Sequence, residues 1–110
     1  MASQNSVDIS TAGGSAESSV NVSPQTLRVP TGSSVTFNDT NTGTPPASIQ
    51  ITFPRGVTCK VNGKAVSVLT VPVDGVVTAT LEGSGTDGKY SVKSTWGDNV
   101  VTASPVIIIE

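Results

Sequence analysis

The sequence predicts an all-β protein, a Greek-key β-sandwich of about eight strands, on three observations. The first is the stretch Ser18–Asn38, which contains three short runs of alternating apolar and polar residues. The apolar members of these runs are Val20 and Val22, Leu27 and Val29, and Val35 and Phe37. Because successive side chains of a strand point to opposite faces, this alternation predicts strands with one apolar face, which must pack against a second sheet.

The second observation is a hairpin signal and the third is the absence of helical periodicity. Asn62-Gly63 separates two alternating runs, and a type I′ turn needs positive φ at both central positions, which Asn and Gly adopt most readily. No stretch has apolar residues at helical spacing over the roughly ten residues that would predict a helix. The composition agrees, because Thr, Ser, Val and Gly are abundant and charged residues are scarce.

Residues 1–19 are predicted to form a flexible N-terminal arm, followed by a β-sandwich domain of residues 20–110. The arm is rich in Ser, Ala, Gly and Gln, and only Val7 and Ile9 could anchor it. The alternative is a short extra strand at Val7–Ile9, which could add to the sheet edge of a neighbouring molecule.

The segment after the three opening strands, Asn38–Ser48, is predicted to be a loop from its Asn, Asp, Thr, Gly and Pro residues. Asp39 and Asn41 match part of an EF-hand calcium loop. The glycine has the wrong offset and no Glu closes the loop, so turn formation is the favoured role of both residues. Ile49–Phe53 alternates again and is predicted to be a strand that ends at Pro54.

The predicted hairpin Val57–Val68 has a register set by its two-residue turn, which places Cys59 opposite Val66. The residues expected on its apolar face are Val57, Cys59, Val61, Val66 and Val68. Cys59 is therefore predicted to be a small core residue. The alternative, a reactive thiol, lacks a neighbour that would lower the pKa.

The rest of the chain predicts three more strands separated by turns. The apolar parity changes at Leu69–Val71, which indicates a bulge or a crossing between sheets. Pro72–Gly75 and Glu82–Lys89 are predicted turns on either side of a strand with Val77, Ala79 and Leu81 facing inward. Tyr90 and Val92 are expected to face inward on the next strand.

The C-terminal part is expected to be a loop, Ser94–Ser104, followed by a strand. The loop contains Trp96. The strand Val106–Ile109 has an unbroken apolar run, which suits a strand covered on both faces or one with a partner along its exposed side.

Composition and charge exclude several classes of function. A chain of 110 residues fits one domain, and its net charge of −2 with no basic run gives little support for nucleic-acid binding. No apolar run approaches the ~20 residues of a membrane span. The single cysteine excludes an internal disulfide. The first residues lack the basic and apolar regions of a signal peptide, although a signal could have been removed, so the compartment stays open.

A resemblance to cupredoxin-like and immunoglobulin-like domains covers roughly residues 20–110. The order V-x-P-x-x-L-x-V-P-x-G-x-x-V-T-F at Val22–Phe37 resembles the first cupredoxin strands, and G-K-Y-S-V at Gly88–Val92 resembles the ending. Ser48 stands where cupredoxins have a histidine ligand, and the loop KSTWGDNVVTAS has none of their Cys, His or Met ligands. The resemblance to the immunoglobulin tyrosine corner implies that the Tyr90 hydroxyl bonds to nearby backbone.

The sequence lacks the histidine side chains on which the common metal sites and catalytic triads depend. The chain has no histidine, and its only methionine is Met1, so a blue-copper site, a zinc site and a Ser-His-Asp or Cys-His catalyst are all excluded. We expect no cofactor, no metal and no enzymatic activity. The remaining carboxylates stand in predicted turns or at strand ends, and Gly83–Gly88 precedes a strand where a phosphate loop would precede a helix.

Three residues are candidates for a contact surface. Trp96 lies in the loop where the resembled family keeps its active site, although a lone Trp is more often a core plug or a loop anchor. Arg55 follows Pro54 in a strand-end turn, and Asn99 stands near Trp96 with a side chain suited to hydrogen bonding.

Two functions of different classes follow. The first is a non-catalytic β-sandwich that binds a protein partner or itself, as a structural module or a subunit of a larger assembly such as a virion or a cell surface. Open sheet edges are natural sites for strand addition. The alternative is a small-ligand or carbohydrate-binding module that uses the loops Thr44–Ser48 and Trp96–Asn99.

Overall fold

The computed structural model describes residues 5–13, 18–23, 25–83 and 86–110, together with the backbone but not the side chains of residues 86 and 87. These residues form thirteen β-strands and no helix, so the predicted all-β class is confirmed. The strands are β1 (Ser6–Gly13), β2 (Ser19–Ser23), β3 (Thr26–Val29), β4 (Ser33–Gly43), β5 (Ser48–Thr52), β6 (Thr58–Val61), β7 (Lys64–Val66), β8 (Leu69–Thr70), β9 (Val76–Glu82), β10 (Thr86–Lys89), β11 (Ser91–Trp96), β12 (Asn99–Ala103) and β13 (Val106–Ile109). They are more numerous than the eight or so strands predicted.

The strands form three sheets around one core. The six-stranded sheet has the order β2-β1-β4-β9-β6-β7, the four-stranded sheet β12-β11-β5-β8, and the three-stranded sheet β10-β13-β3. Neighbouring strands are antiparallel except for the parallel pairs β1–β4 and β13–β3. Buried apolar side chains from all three sheets belong to a single cluster. The sheets therefore pack with their apolar faces together, as in a β-sandwich.

The opening stretch has the structure that its alternation predicts. Its three runs are β2, β3 and the start of β4. Leu27, Val29, Val35 and Phe37 are buried, while the polar residues between Leu27 and Val29 and between Val35 and Phe37 are more exposed. Burying such side chains is worth roughly 1.5–3 kcal/mol each, which makes this stretch a large share of the core.

The N-terminal segment contains a strand, so the arm predicted for residues 1–19 is not found at Ser6–Gly13. β1 pairs with β4 along its whole length and with β2 on its other side, within this chain's own sheet. Val7 and Ile9, the two residues that could anchor the segment, are 0% and 1% exposed and therefore belong to the core. The alternative of a strand at Val7–Ile9 is the one found. Residues 1–4 and 14–17 of the predicted arm lie outside the described residues.

Three segments predicted to be loops or turns contain strands. β4 continues through Asn38–Gly43, β10 occupies Thr86–Lys89, and the predicted loop Ser94–Ser104 is largely a hairpin of β11 and β12. None of these segments has the alternating apolar residues from which strands are predicted. Their Thr and Val residues favour extended backbone, and pairing with a neighbouring strand supplies the missing stabilisation.

The hairpin at Asn62-Gly63 confirms the predicted turn and register. Both residues have positive φ, +53° and +80°, as a type I′ turn requires. Cys59 pairs with Val66 as expected. Val68 departs from the prediction, because it lies beyond the end of β7 and is 40% exposed instead of sharing the apolar face.

The chain crosses between sheets where the apolar parity changes. β7 belongs to the six-stranded sheet and β8 to the four-stranded sheet, which confirms the predicted crossing. Pro72–Gly75 is a turn closed by the hydrogen bond from Gly75 N to Pro72 O. β13 lies between β10 and β3, so the C-terminal apolar strand has partners along both sides.

Tyr90 is a central core residue, as predicted, but its hydroxyl is not tied to backbone. The ring is fully buried and stacks on Phe53, with centroids 5.6 Å apart. The hydroxyl is buried with no hydrogen-bond partner in the described structure, so the tyrosine-corner bond is absent. Burial raises the pKa of this hydroxyl well above its ordinary value, because an ionised oxygen there would be poorly solvated.

Candidate functional site

Trp96 is half-buried and acts as an anchor between segments. It is the last residue of β11, and its indole Nε1 donates a hydrogen bond to the carbonyl of Thr44 at 2.8 Å. The indole also lies directly against Gly13, where a Cβ atom would collide with Nε1. This contact joins the ends of β1 and β11 with the segment that follows β4, so the predicted loops Thr44–Ser48 and Trp96–Asn99 are neighbours.

Asn99 faces Trp96 across a tight hairpin. The two residues are register partners at the start of β12, with Gly97 and Asp98 as the turn between them. Gly97 has φ +56°, which fits the first central position of a type II′ turn. Asn99 is exposed, so its amide can reach a ligand beside the half-buried indole.

Arg55 lies at the opposite end of the four-stranded sheet from Trp96. β5 and β11 are antiparallel, with Ser48 beside Thr95 at one end and Thr52 beside Ser91 at the other. Arg55 comes three residues after Thr52, at the end of the sheet where Thr52 pairs with Ser91. Trp96 comes directly after Thr95, at the end where Thr95 pairs with Ser48. The four residue steps between these pairs span about 13 Å. The three candidate residues therefore do not form one surface: Trp96 and Asn99 lie together, and Arg55 lies apart.

The free edge of β12 is a surface that the sequence did not indicate. β12 is the terminal strand of the four-stranded sheet, and its sequence NVVTA has neither a charge nor a proline. Val100 is 52% exposed on this strand. Edge strands of soluble proteins are usually short, charged or interrupted by proline, because an open edge pairs with other chains. The signal in the sequence is the run of β-branched residues Val100, Val101 and Thr102, which lies within the predicted loop Ser94–Ser104.

A cleft of about 450 Å³ lies beside the end of β12. Its apolar lining comes from both layers of the sandwich, namely from Val20, Val22, Ala103, Pro105 and Val106. Lys89 is the single charged residue among the lining residues that the structure describes. An uncharged strand edge and a cleft with a mixed polar and apolar lining thus lie next to each other.

A second cleft, of about 380 Å³, is lined by Phe53, Pro54, Arg55, Val57, Thr58, Cys59, Ala65, Val66 and Ser67. We call it the Arg55 cleft. Cys59 lies at its inner side and is 3% exposed, in agreement with the predicted core position. Burial raises the pKa of the Cys59 thiol to about 11, because the thiolate would be poorly solvated. The thiol is therefore neutral at ordinary pH, which argues against a reactive nucleophile.

Asp39 is a structural carboxylate on β4 and not a member of a loop. It is 5% exposed, and its two oxygens accept hydrogen bonds from Thr11 Oγ1 at 3.0 Å and from the backbone N–H of Asp74 at 2.9 Å. The carboxylate of Asp74 in turn accepts from the backbone N–H of Asn41 at 2.7 Å. These hydrogen bonds connect the Pro72–Gly75 turn to β1 and β4. Asp39 and Asn41, which match part of a calcium loop in sequence, therefore have a structural role here.

No group of three or more His, Cys, Asp or Glu side chains that could hold a metal ion occurs in the described parts of the chain. Among the same residues there is no helix of the length and hydropathy needed to cross a membrane. What the arrangement offers chemically is a free strand edge, two clefts and an exposed hairpin tip.

Comparison with known proteins gives no assignment. No protein-family model matches the chain, and no curated protein sequence matches it.

Proposed function

We propose that this chain is a non-catalytic β-sandwich module that binds another protein, as a structural subunit of a larger assembly, and that the partner adds a strand to β12. The observation that carries the proposal is the edge of β12, which has no paired strand among the described residues, with Val100 exposed and no charge along the strand. Main-chain hydrogen bonds at such an edge supply affinity, and pockets beside it supply specificity.

The terminal strands β3, β7, β8 and β10 are shorter than β12, and all of them except β8 carry a charged residue. β7 has three residues, including Lys64, and β8 has two. β3 includes Arg28, whose guanidinium is paired with Glu110 at 2.9 Å. β2 is also an uncharged terminal strand, and it lies close to β12, where residues of both strands line the 450 Å³ cleft. The uncharged edges of β12 and β2 therefore lie on one side of the sandwich, and this is the side that favours an added strand.

The hairpin geometry identifies the backbone groups that a partner would bond. Because the turn has two residues, Trp96 and Asn99 form a hydrogen-bonded pair, and the pairs then alternate along the strands. Asn99, Val101 and Ala103 thus bond to β11. The backbone N–H and C=O groups of Val100 and Thr102 point to the free edge.

A comparison of two valine substitutions tests the proposal. Val100→Lys places a charge on the free edge, whereas Val76→Lys makes the same change at a valine that is 55% exposed on β9, an inner strand. We expect partners captured from the protein's own cells, or oligomers seen by light scattering over a dilution series, with the wild type and Val76→Lys and not with Val100→Lys. A strict monomer whose captured proteins are the same for all three chains would contradict the proposal.

A second candidate, carbohydrate binding at the hairpin tip, is supported by the contact between Trp96 and Thr44. This contact places the two predicted loops beside each other, with Asn99 exposed. The indole N–H is already bonded and the ring packs on Gly13, so only part of the aromatic surface can stack on a sugar. A change of Trp96 fluorescence with members of a glycan panel would favour this candidate, and no response would remove it.

A further inference from the structure

We infer that the Arg55 cleft binds a small carboxylic acid with a short branched or aromatic tail. The cleft does not involve β12, so this inference is independent of the proposed protein binding. Its volume of about 380 Å³ is at the lower end of the range of about 300–1,000 Å³ that is usual for ligand pockets. The cleft is open to solvent, and its size suits a compact ligand.

The charge of the cleft selects the ligand head group. Arg55 is the single charged residue among its described lining residues, and no hydrogen bond or ion pair of the Arg55 side chain occurs in the described structure. The guanidinium is always protonated and presents paired N–H donors that match a carboxylate. No acid is among the described lining residues, so none of them competes with a bound carboxylate for the guanidinium.

The lining of the cleft is mixed, and its apolar side chains favour a ligand with a short apolar tail. Phe53, Val57 and Val66 line it, and the Cys59 thiol, neutral because burial raises its pKa to about 11, adds a weakly polar surface. A short branched or aromatic group would bury its surface against these side chains. The hydroxyls of Thr58 and Ser67 are exposed at the cleft and remain in contact with water.

The cleft is formed before a ligand arrives. The ring of Phe53 is held between the stacked ring of Tyr90 and the edge-on ring of Phe37, with centroids 5.6 and 6.2 Å away. Pro54 packs close to Gly88, where a Cβ atom would lie 3.3 Å from the proline ring. Ordering two walls in advance reduces the entropy that a ligand must offset on binding.

The test uses the full chain and small probes with matched controls. Isovalerate and benzoate are titrated while amide and methyl chemical shifts are recorded by NMR, with isovaleramide as a probe of the same shape without charge. Arg55→Gln removes the cation. Arg28→Gln is the matched control, because Arg28 is an exposed arginine of β3 whose surface ion pair contributes little to stability.

We expect shifts confined to the cleft, an affinity at least about tenfold weaker for isovaleramide and for Arg55→Gln, and an unchanged affinity for Arg28→Gln. Equal binding of the acid and the amide, shifts that survive Arg55→Gln, or no shifts would overturn the inference. Tighter binding of a tripeptide that ends in valine would also overturn it, because the cleft would then belong to a protein C-terminus.

Discussion

The indole of Trp96 lies against the backbone of Gly13, and the same indole donates a hydrogen bond to the carbonyl of Thr44. Residue 13 has room for a hydrogen atom and not for a methyl group. This close approach fixes the end of β1 to the end of β11, and so joins the six-stranded sheet to the four-stranded sheet at the end that carries the hairpin tip.

Gly13→Ala should therefore destabilise the protein. The added Cβ would collide with the Trp96 ring and with the backbone oxygen of Thr44, and a backbone atom cannot move aside cheaply. We expect a loss of about 2 kcal/mol in the free energy of unfolding, measured by urea denaturation. Gly88→Ala is the control, because its nearest contact would be 3.3 Å from Pro54, and it should cost less than about 1 kcal/mol. Equal losses for the two variants would contradict this account of Gly13.

Asp39→Asn should destabilise the protein through the turn that its carboxylate holds. The Asp39 side chain accepts from Thr11 and from the N–H of Asp74, and an amide replaces one of its two acceptor oxygens with a donor. We expect a loss of about 1–3 kcal/mol in urea denaturation. Asp8→Asn is the matched control, since Asp8 is exposed and accepts a single long bond from Asn38 at 3.4 Å, and it should change stability by less than about 0.5 kcal/mol.

Tyr90→Phe should leave the stability unchanged or raise it by about 1 kcal/mol. The Tyr90 hydroxyl is buried without a partner, so its removal relieves a desolvation cost and leaves the ring contact with Phe53 in place. Ser94→Ala should behave in the same way, because the Ser94 hydroxyl is also buried and unpartnered in the described structure. A destabilisation of more than about 1 kcal/mol by Tyr90→Phe would show that the hydroxyl has a partner, as in the tyrosine corner.

Cys59 should make the protein less stable at alkaline pH. The thiol has a pKa of about 11 in the folded chain, raised from its ordinary 9.0 by burial, so the unfolded chain loses this proton at a lower pH. The contribution of the Cys59 thiol to the free energy of unfolding is therefore fully present below pH 9. The free energy of unfolding then falls by about 1.4 kcal/mol per pH unit as the pH rises towards 11. Urea denaturation at pH 8 and 10.5 should show a larger loss for the wild type than for Cys59→Ala. The Tyr90 hydroxyl is present in both chains, so it serves as a common background.

The strands that could be predicted from the sequence are those with apolar alternation or a defined turn. Val35 and Phe37 alternate with polar residues and lie in β4, and the Asn62-Gly63 turn set the register that pairs Cys59 with Val66. Both signals are local, because a strand's inward face and a two-residue turn are determined by neighbouring residues.

The parts that could not be predicted depend on contacts between distant residues. Asp39 has turn-forming chemistry, yet it is buried in a strand because Thr11 and Asp74, both far away in sequence, supply its hydrogen bonds. The segment from Asn99 to Ala103 has no apolar alternation and lies in a predicted loop, but β11 pairs with it. Because this pairing cannot be seen in the sequence, the sequence indicated Trp96 and Asn99 as contact residues and did not indicate Val100. An open strand edge is a property of the sheet order and not of a motif.

Amide hydrogen exchange at β12 tests protein binding most directly. In the free chain, the N–H groups of Val100 and Thr102 should exchange rapidly, while those of Asn99 and Val101 are protected by β11. In the complex with a captured partner, or in the self-associated form, Val100 and Thr102 should become protected by at least about tenfold, as paired strand amides are. Continued rapid exchange of both amides in a saturated complex would contradict strand addition at this edge.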